Sequence, residues 1–239
     1  MAESFEFRDL AGSEFWGVDL RGAQFRDVNL SDVVMEAVAL VNVDIDGLVD
    51  RLVVNGVDVT GYVNEHDPLY PLRALVRPTD AEGTRAAWAA LDQEWTATIA
   101  RARALPDAMV HASVDGEWSF VQTLRHLVFA IDKWCTAPIL GAGFAPMGLP
   151  NSGSVDFGWP GLDPDADPTF AEAQTAYADR WTRVHDYVER VTAADLTTSV
   201  DVLENGPHTV LDCLGVVFEE SFAHHRYATR DLDRLESDR

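Results

Sequence analysis

The sequence predicts a mainly α-helical protein, in which a four-helix bundle follows a short segment of five-residue repeats. Two observations predict this arrangement. Large apolar residues recur at every fifth position in the first part of the chain, and four stretches with capping signals and helical apolar spacing fill the second part. The chain has 239 residues, of which 47% are apolar, so it can bury a sizeable core and is not globally disordered.

The first segment has a sequence period of five. Neither an α-helix nor a β-strand has this period, whereas a coil with four short sides does when each pentad turns one corner and points its central side chain inward. From position 13 onwards, a small or β-branched residue stands two positions before each centre. The successive centres are Phe5, Leu10, Phe15, Leu20, Phe25, Leu30, Met35, Leu40 and Ile45.

This pattern resembles the pentapeptide-repeat family over residues 5–49. The resemblance implies a right-handed quadrilateral β-helix of little more than two coils. Such a stack needs a neighbour to cover its open ends, so we expect it to dock on the rest of the chain. Residues 50–63 carry alternating valines and an Asn55–Gly56 turn signal, which predict a short hairpin that closes the stack.

Four helices are predicted after a proline-marked linker. The predicted division is a repeat unit with its hairpin over residues 1–63, the linker over 64–78 and the bundle over 79–239. Four amphipathic helices in about 160 residues make a bundle the expected architecture. The helix starts are marked by Thr79–x–x–Glu82, Ser119–x–x–Gln122, Asp167–Pro168 and Thr209–x–x–Asp212, and the last helix runs to about Leu235.

The connection between the second and third helices, residues 138–166, is long and rich in Gly and Pro. A connection of this length can climb the full bundle and leave the two helices parallel. We expect one of two roles for it. It either contributes a binding wall, formed by Phe144, Met147, Phe157 and Trp159, or covers the bundle without taking part in chemistry.

The chain is strongly acidic, with 40 acidic and 18 basic residues and a net charge of −22. Binding to a phosphate backbone needs clustered Lys and Arg, so this balance argues against direct nucleic-acid binding. The charge is spread evenly over both segments, which argues against imitation of DNA by the repeat. No run of about 18 apolar residues and no signal segment is visible, so a membrane partner and secretion are not expected. Two cysteines cannot form a disulfide framework, and this fits a cytoplasmic protein.

Three side chains form a candidate metal site. Glu220 and His224 are four residues apart on the last helix and share an inward stripe with Cys213, while His126 lies among apolar residues in the second helix. A His from one helix and a Glu/His pair from a facing helix make a ligand set with open positions, suited to Zn²⁺, Ni²⁺, Mn²⁺ or Fe²⁺. The spacing alone leaves an alternative open, namely a surface ion pair on the last helix and a core histidine. The remaining candidates His66, His111, His185 and His208 are expected at the surface.

Two motifs carry a second resemblance. Residues 117–127, EWSFVQTLRHL, and residues 219–232, EESFAHHRYATRDL, resemble the DinB-like superfamily, in particular its thiol-dependent branch, the mycothiol-dependent maleylpyruvate isomerase type. The resemblance covers residues 79–236 and implies a four-helix bundle with a long connection between helices two and three. It implies a divalent metal held by His126, Glu220 and His224. Glu219 and His225 fall beside this stripe and are expected next to the ligands or at the surface.

The resemblance also implies a function. It indicates a metal-dependent enzyme, with Zn²⁺ or Ni²⁺, that activates a low-molecular-weight thiol of the mycothiol or bacillithiol type for S-transfer or isomerisation. The partner would be a small-molecule substrate or a thiol conjugate, and Cys213 is expected to be a core residue. Hydrolysis by a metal-activated water would use the same site. The alternative of a different class is a non-catalytic interaction or scaffold protein that uses the repeat face. A free bundle edge or the repeat face could also form a homodimer.

Overall fold

The computed structural model describes residues 3–6, 8–25, 28–151, 158–159, 161–163 and 165–237. The chain divides into two compact units, Met1–Val49 and Asp50–Arg239. The sequence prediction places this division after residue 63 and so counts the hairpin with the repeat, whereas the structure places the hairpin in the helical unit. The hairpin is hydrogen-bonded to the helical unit, because Leu52 N, just before the hairpin, donates to the Thr60 hydroxyl at the start of the first helix (2.8 Å). Leu52 O accepts from Val59 N, which closes the base of the hairpin.

The N-terminal unit keeps the period of five in its backbone. Three turns ten residues apart are closed by backbone hydrogen bonds, for example from Ser13 N to Leu10 O (3.0 Å). Within residues 3–6, 8–25 and 28–49 no strand forms, and the repeat centres are 43% to 64% exposed, so they do not make a buried inner column. The quadrilateral β-helix therefore stays a prediction. Positive φ angles recur in register with the repeat, at Gly12, Gly17, Gly22, Asp32, Ala37 and Asn42.

The predicted hairpin is present at the start of the helical unit. Strands β1 (Val53–Val54) and β2 (Val57–Asp58) pair antiparallel. The turn residues Asn55 and Gly56 both have positive φ, 51° and 81°, as a tight hairpin of this length requires. Two short helices, α1 (Thr60–His66) and α2 (Tyr70–Arg73), occupy much of the segment that the sequence predicts as a linker.

Four long helices form the bundle. They are α3 (Ala81–Arg103), α5 (Phe120–Ile131), α6 (Phe170–Val188) and α8 (Val210–Ser237), and α5 continues into a π-helical turn at Asp132–Thr136. Short elements join them: α4 (Asp107–Val110), α7 (Ala193–Leu196), and the antiparallel strands β3 (Ser199–Asp201) and β4 (Pro207–Thr209) around a 3-10 turn at Leu203–Asn205. The mainly helical fold class is confirmed.

Two of the four predicted helix starts are confirmed and two are shifted. The capping boxes that begin at Ser119 and at Thr209 form as predicted. Helix α3 is capped instead by Asp80, whose carboxylate accepts from Gly83 N (2.7 Å), and α6 by Thr169. In both cases the capping side chain belongs to the residue directly before the first helical turn, where it can reach the free backbone N–H groups.

Helices α5 and α6 run parallel, as the long connection predicts. The rings of Phe120 and Phe170, at the two starts, have centroids 5.9 Å apart. Further along, the guanidinium of Arg180 pairs with the buried carboxylate of Asp132 at 3.0 Å. The long connection, residues 137–169, is needed to return the chain to the end of the bundle at which α5 began.

Helix α8 lies between α3 and α5. It runs parallel to α3, because the Trp95 indole donates to Ser221 O (3.1 Å) and, further along both helices, Arg101 pairs with Asp233 (2.6 Å). It runs antiparallel to α5. The aromatic core of Trp88, Trp95, Tyr177 and Trp181 fills the space among α3, α6 and α8.

The long connection is fixed to α5 over part of its length. Ala145 N donates to the Asp132 carboxylate (2.6 Å), and the guanidinium of Arg125 donates to Met147 O (2.9 Å). Phe144 and Trp159 pack against each other with ring centroids 5.7 Å apart. Of the predicted wall, Phe157 lies outside the described residues. In the described part of the chain no helix combines the length and the apolarity that a bilayer span requires.

Candidate metal centre

His126 lies in the middle of α5, where the helix is enclosed by α6 and α8. Of the twelve residues of α5 only Gln122 is not buried, and His126 itself is 4% exposed. A buried imidazole needs partners for both of its nitrogens. Nδ1 lies 2.9 Å from Leu149 O on the long connection, and Nε2 lies 3.3 Å from Oε2 of Glu220 on α8.

Glu220 and His224 approach His126 from α8. They are one helical turn apart, and His224 Nε2 lies 3.4 Å from the same Glu220 oxygen. One ligand atom from each of the three residues lies within 4.8 Å of the others. The structure therefore brings together the three residues that the sequence predicts, and we call His126, Glu220 and His224 the donor cluster. Glu220 and His224 stay partly exposed, so a small molecule can reach it from outside.

The hydrogen bond to Leu149 decides the form of His126. A carbonyl oxygen only accepts hydrogen bonds, so the proton of the neutral imidazole is on Nδ1 and Nε2 carries a lone pair. That lone pair faces a carboxylate oxygen of Glu220, which is also an acceptor. Nε2 of His224 faces the same oxygen. The approach of His126 Nε2 to the carboxylate is stable only with a cation between them, either a second proton on the imidazole or a metal ion, whereas a neutral His224 can donate to Glu220 from its Nε2.

The carboxylate of Glu220 supplies the negative charge of the donor cluster. Burial raises the pKa of Glu220. In the metal-free protein, hydrogen bonds from His126, when its imidazole carries a second proton, and from His224 act in the opposite direction and are together stronger. The resulting pKa lies well below the ordinary range of a glutamate. Glu220 is therefore ionised at neutral pH, and one carboxylate with two imidazoles is a donor set that suits Zn²⁺ and other first-row divalent ions.

Three aromatic side chains border the donor cluster. Phe129, on α5, has its ring centroid 6.3 Å from that of His126. Trp118, directly before the cap of α5, has its ring centroid 4.6 Å from that of His126 and 5.8 Å from that of His224. Its plane is tilted by only 16° from the plane of His224. Tyr227, one turn after His224 on α8, has its ring centroid 6.4 Å from the His224 ring.

Comparison with protein families agrees with this geometry. A model described as the DinB superfamily matches residues 60–228, which is more than half of the chain. The chain belongs to the DinB superfamily. A second model, for pentapeptide repeats, matches residues 4–44 with eight copies. The resemblances to the DinB superfamily and to the pentapeptide-repeat family are therefore confirmed. No curated protein and no solved structure matches the chain significantly.

Proteins of the DinB superfamily generally bind a metal, and the donor cluster is a group in this chain that could hold one. The cluster lies inside the matched segment, and its three residues come from the two motifs that carry the resemblance. Family membership and geometry thus point to the same place in the bundle. Which metal is bound, and whether a thiol takes part, belongs to the proposal below.

The two neighbours of the donor cluster in the DinB motif have different surroundings. Glu219 forms an ion pair with Arg77 at the edge of the bundle, which agrees with the predicted surface position. His225 is 3% exposed, and its Nε2 shares a hydrogen bond of 3.1 Å with the hydroxyl of Thr98. The prediction that His225 lies next to the ligands or at the surface is wrong, because α8 turns this side chain toward α3.

The other predicted positions agree with the structure in most respects. Cys213 is fully buried, as expected of a core thiol. The four histidines predicted at the surface lie outside the donor cluster, and three of them have ring partners or hydrogen bonds of their own. His66 stacks on Tyr62 with ring centroids 4.2 Å apart. His208 packs edge-on against Trp134, and His185 accepts a hydrogen bond from the indole of Trp88.

Two contributors to the site have no role in the sequence prediction. Trp118 could have been suggested by its place before the Ser119 cap, a position from which an apolar side chain often packs on the following helix. Leu149 contributes only its backbone carbonyl, and a backbone group has no sequence signal. Its position depends on the fold of the long connection, which also places Leu149 N within 3.0 Å of Arg125 O.

Proposed function

We propose that the chain is a metal-dependent enzyme in which His126, Glu220 and His224 hold a divalent ion, Zn²⁺ or Ni²⁺, for S-transfer or isomerisation with a low-molecular-weight thiol. The observation that carries the proposal is the convergence of three possible ligand atoms, each from a different side chain, within 4.8 Å. Membership of a superfamily that generally binds metal supports the same reading.

The residues present fit a metal ion. Leu149 O accepts the Nδ1 proton of His126 and so holds the imidazole in the tautomer whose Nε2 can coordinate. Glu220 is held ionised between the two histidines. Trp118 packs on both imidazole rings and restrains their rotation. A divalent ion at such a site lowers the pKa of a thiol or water that binds to it, which gives a nucleophile at neutral pH.

The high pKa values of the protein's own cysteines support the proposal that the reacting thiol belongs to a small molecule. Burial, with smaller contributions from Cys213 and Asp132, raises the pKa of Cys135 to about 12. Burial, with a contribution from Asp212, raises the pKa of Cys213 to about 11. Neither thiol forms a useful amount of thiolate near neutral pH, and the thiolate is the nucleophilic form. The nucleophile of the proposed reaction is therefore a small-molecule thiol or, in the hydrolytic variant, water.

A second candidate function is favoured by the N-terminal unit. Its apolar side chains are exposed to an unusual degree, with Trp16 at 95%, Val34 at 79% and Val41 at 76%. Exposed apolar surface of this kind is typical of an interaction surface. On this reading the repeat binds a protein partner or a second copy of the chain, and the bundle is a scaffold.

Metal analysis of the full-length protein tests the first proposal. The wild type, after incubation with Zn²⁺ or Ni²⁺ and removal of excess ion, should retain one equivalent, and His126→Ala and His224→Ala should retain much less. His111→Ala is the matched control, because His111 is a partly exposed histidine outside the donor cluster. A wild type that retains no metal would overturn the proposal and leave the scaffold reading.

The thiol dependence requires a separate test. The metal-loaded protein should transfer a low-molecular-weight thiol to an electrophilic acceptor faster than the metal-free protein does. Mycothiol, bacillithiol and thiol-free buffer would be compared, so that hydrolysis appears as turnover without thiol. Turnover that is unaffected by His224→Ala would show that the donor cluster is not the site of the reaction.

A further inference from the structure

The donor cluster has a definite residual charge once a divalent ion is added. A divalent ion held by two neutral imidazoles and one carboxylate would keep one positive charge, because the carboxylate of Glu220 is the single anionic ligand in this set. This favours a ligand that offers a single negative charge and disfavours a cation. The protein as a whole carries a net charge of −22, so its long-range field does not attract a free anion. Short-range contacts must therefore supply the rest of the affinity.

The side chains at the rim of the donor cluster indicate what those contacts are. Trp118 is half-buried and lies against both imidazoles, and Tyr227 is 41% exposed next to His224. The guanidinium of Arg230 lies 5.2 Å from the centre of the Tyr227 ring and pairs with Asp231, so Tyr227 is restrained by its own helix. Flat rings at such a rim favour a flat, apolar partner through stacking and area burial.

We propose that the donor cluster takes ligands that join one anionic donor group to an aromatic body, and that the aromatic body packs on Trp118. The proposal rests on the proposed function, because the anionic group needs the metal ion. It deepens that function by naming a substrate class, namely aromatic thiols or thiol conjugates with an aromatic acceptor. Trp118 is then a specificity-determining residue, and Tyr227 makes a smaller contribution.

A pair of hydroxamates separates the two parts of the ligand. Acetohydroxamate and benzohydroxamate carry the same anionic donor group, and only the second has an aromatic body. Full-length protein is loaded with Co²⁺, whose visible spectrum reports ligands at the metal, and each compound is titrated. The wild type should bind benzohydroxamate about ten-fold more tightly than acetohydroxamate, the range that an aromatic contact gives.

Variants identify the side chain responsible. In Trp118→Leu, which keeps apolar volume without a flat ring, the preference should fall below about three-fold while acetohydroxamate binding is retained. Trp118→Ala serves as a second variant if the leucine does not fold. Trp134→Leu is the matched control, because Trp134 also packs against a histidine, His208, that is not in the donor cluster. The control should keep the full preference.

Three results would overturn the proposal, and they are distinguishable. A wild type that loads Co²⁺ but binds both hydroxamates equally contradicts the aromatic ligand class while leaving the metal site intact. A preference that survives in Trp118→Leu contradicts the role of Trp118. A wild type that takes up no Co²⁺ fails at the first step, and then the proposed function itself is wrong.

Discussion

Two consecutive histidines on α8 have opposite surroundings. His224 belongs to the contact between α5 and α8, where its Nε2 and that of His126 both face Glu220. We call this contact the ligand seam. His225 belongs to the contact between α3 and α8, where it packs on Trp95 with ring centroids 5.7 Å apart. We call this contact the aromatic seam.

The difference between the seams lies in how their polar atoms are satisfied. In the aromatic seam, Nε2 of His225 is paired with the neutral hydroxyl of Thr98 and lies 3.7 Å from the Glu94 carboxylate, while Nδ1 is buried without a hydrogen-bond partner among the described residues. The Trp95 indole donates to a backbone carbonyl. In the ligand seam, the free Nε2 of His126 faces a carboxylate oxygen, which is also an acceptor, so a cation is required between them. One amphipathic helix thus carries a structural histidine and a candidate ligand side by side, and only the partners across each seam distinguish them.

The largest expected effect is on the alkylation rates of the two thiols, Cys135 and Cys213. These rates report whether solvent reaches the protein interior near the ligand seam. At pH 8 the pKa values of about 12 and about 11 leave Cys135 and Cys213 almost wholly protonated. Relative to an unperturbed thiol, we expect alkylation to be slower by roughly a thousand-fold for Cys135 and a hundred-fold for Cys213. Iodoacetamide labelling followed by mass spectrometry measures both rates.

The same labelling in guanidinium chloride is the control and should modify two thiols per chain. Cys135→Ala leaves Cys213 alone and assigns the slower and the faster phase. Rapid labelling of the native wild type would show that this part of the bundle opens to solvent, and a protein thiol would again be a candidate nucleophile.

The next effect is on stability and compares the two histidines directly. His225→Ala removes a buried ring and leaves the Thr98 hydroxyl without its partner, so the free energy of unfolding should fall by about 3 kcal/mol. His224→Ala, at a partly exposed position, should cost less than about 1 kcal/mol in metal-free protein. Urea unfolding of both variants provides the comparison, and equal losses would contradict the distinction between the seams.

The stabilisation that metal binding provides should distinguish the two variants in the opposite direction, with the larger loss in His224→Ala. With free Zn²⁺ at a hundred times its dissociation constant, the wild type should gain about 2.7 kcal/mol in the free energy of unfolding. His225→Ala should gain as much as the wild type, because it keeps all three predicted ligands, and His224→Ala should gain little. Thermal unfolding with Zn²⁺ and with a chelator measures the gain. An equal gain in His224→Ala would place the ion elsewhere.

The extent to which the sequence predicts these seams depends on the range of the contacts. Glu220 and His224 are related by one helical turn, and His126 lies on a helix whose start is marked by a capping box, so both could be predicted from local pattern. The position of His225 could not, because the direction of α8 relative to α3 is fixed by packing among distant residues such as Trp95. The carbonyl of Leu149 reaches His126 across 23 positions of chain, through a connection with no periodic pattern.

In the N-terminal unit the sequence pattern is clear, but the burial of its side chains does not follow from it. Its five-residue period is visible in the sequence, is matched by the family model and recurs in the positive φ angles of the backbone. The buried inner column that the period predicts stays a prediction, since the repeat centres are 43% to 64% exposed in the described residues. A strong sequence pattern therefore fixes local turns, while burial depends on how successive coils stack.

The smallest expected effect is on stability and concerns the first turns of α5 and α8, the two helices that form the ligand seam. Both α5 and α8 begin with a capping box, but the third residue after the cap is Gln122 in one and Asp212 in the other. Hydrogen bonds from the Thr209 side chain and backbone lower the pKa of Asp212, so its stabilising effect is fully present above the ordinary aspartate pKa. It is lost as the pH falls through the lowered value in the folded protein.

Alanine at each cap should therefore give different pH dependences. Thr209→Ala should cost about 1 kcal/mol at pH 7 and less at a pH below the lowered pKa of Asp212, where the carboxyl is protonated and its link to Thr209 weakens in the wild type as well. Ser119→Ala should cost about the same at pH 7 and should not change through this mechanism at the lower pH, because Gln122 does not titrate. Unfolding free energies of the three proteins at both pH values test this. A pH-independent cost at Thr209 would show that the hydroxyl alone, and not its bond with the carboxylate, sets the start of α8.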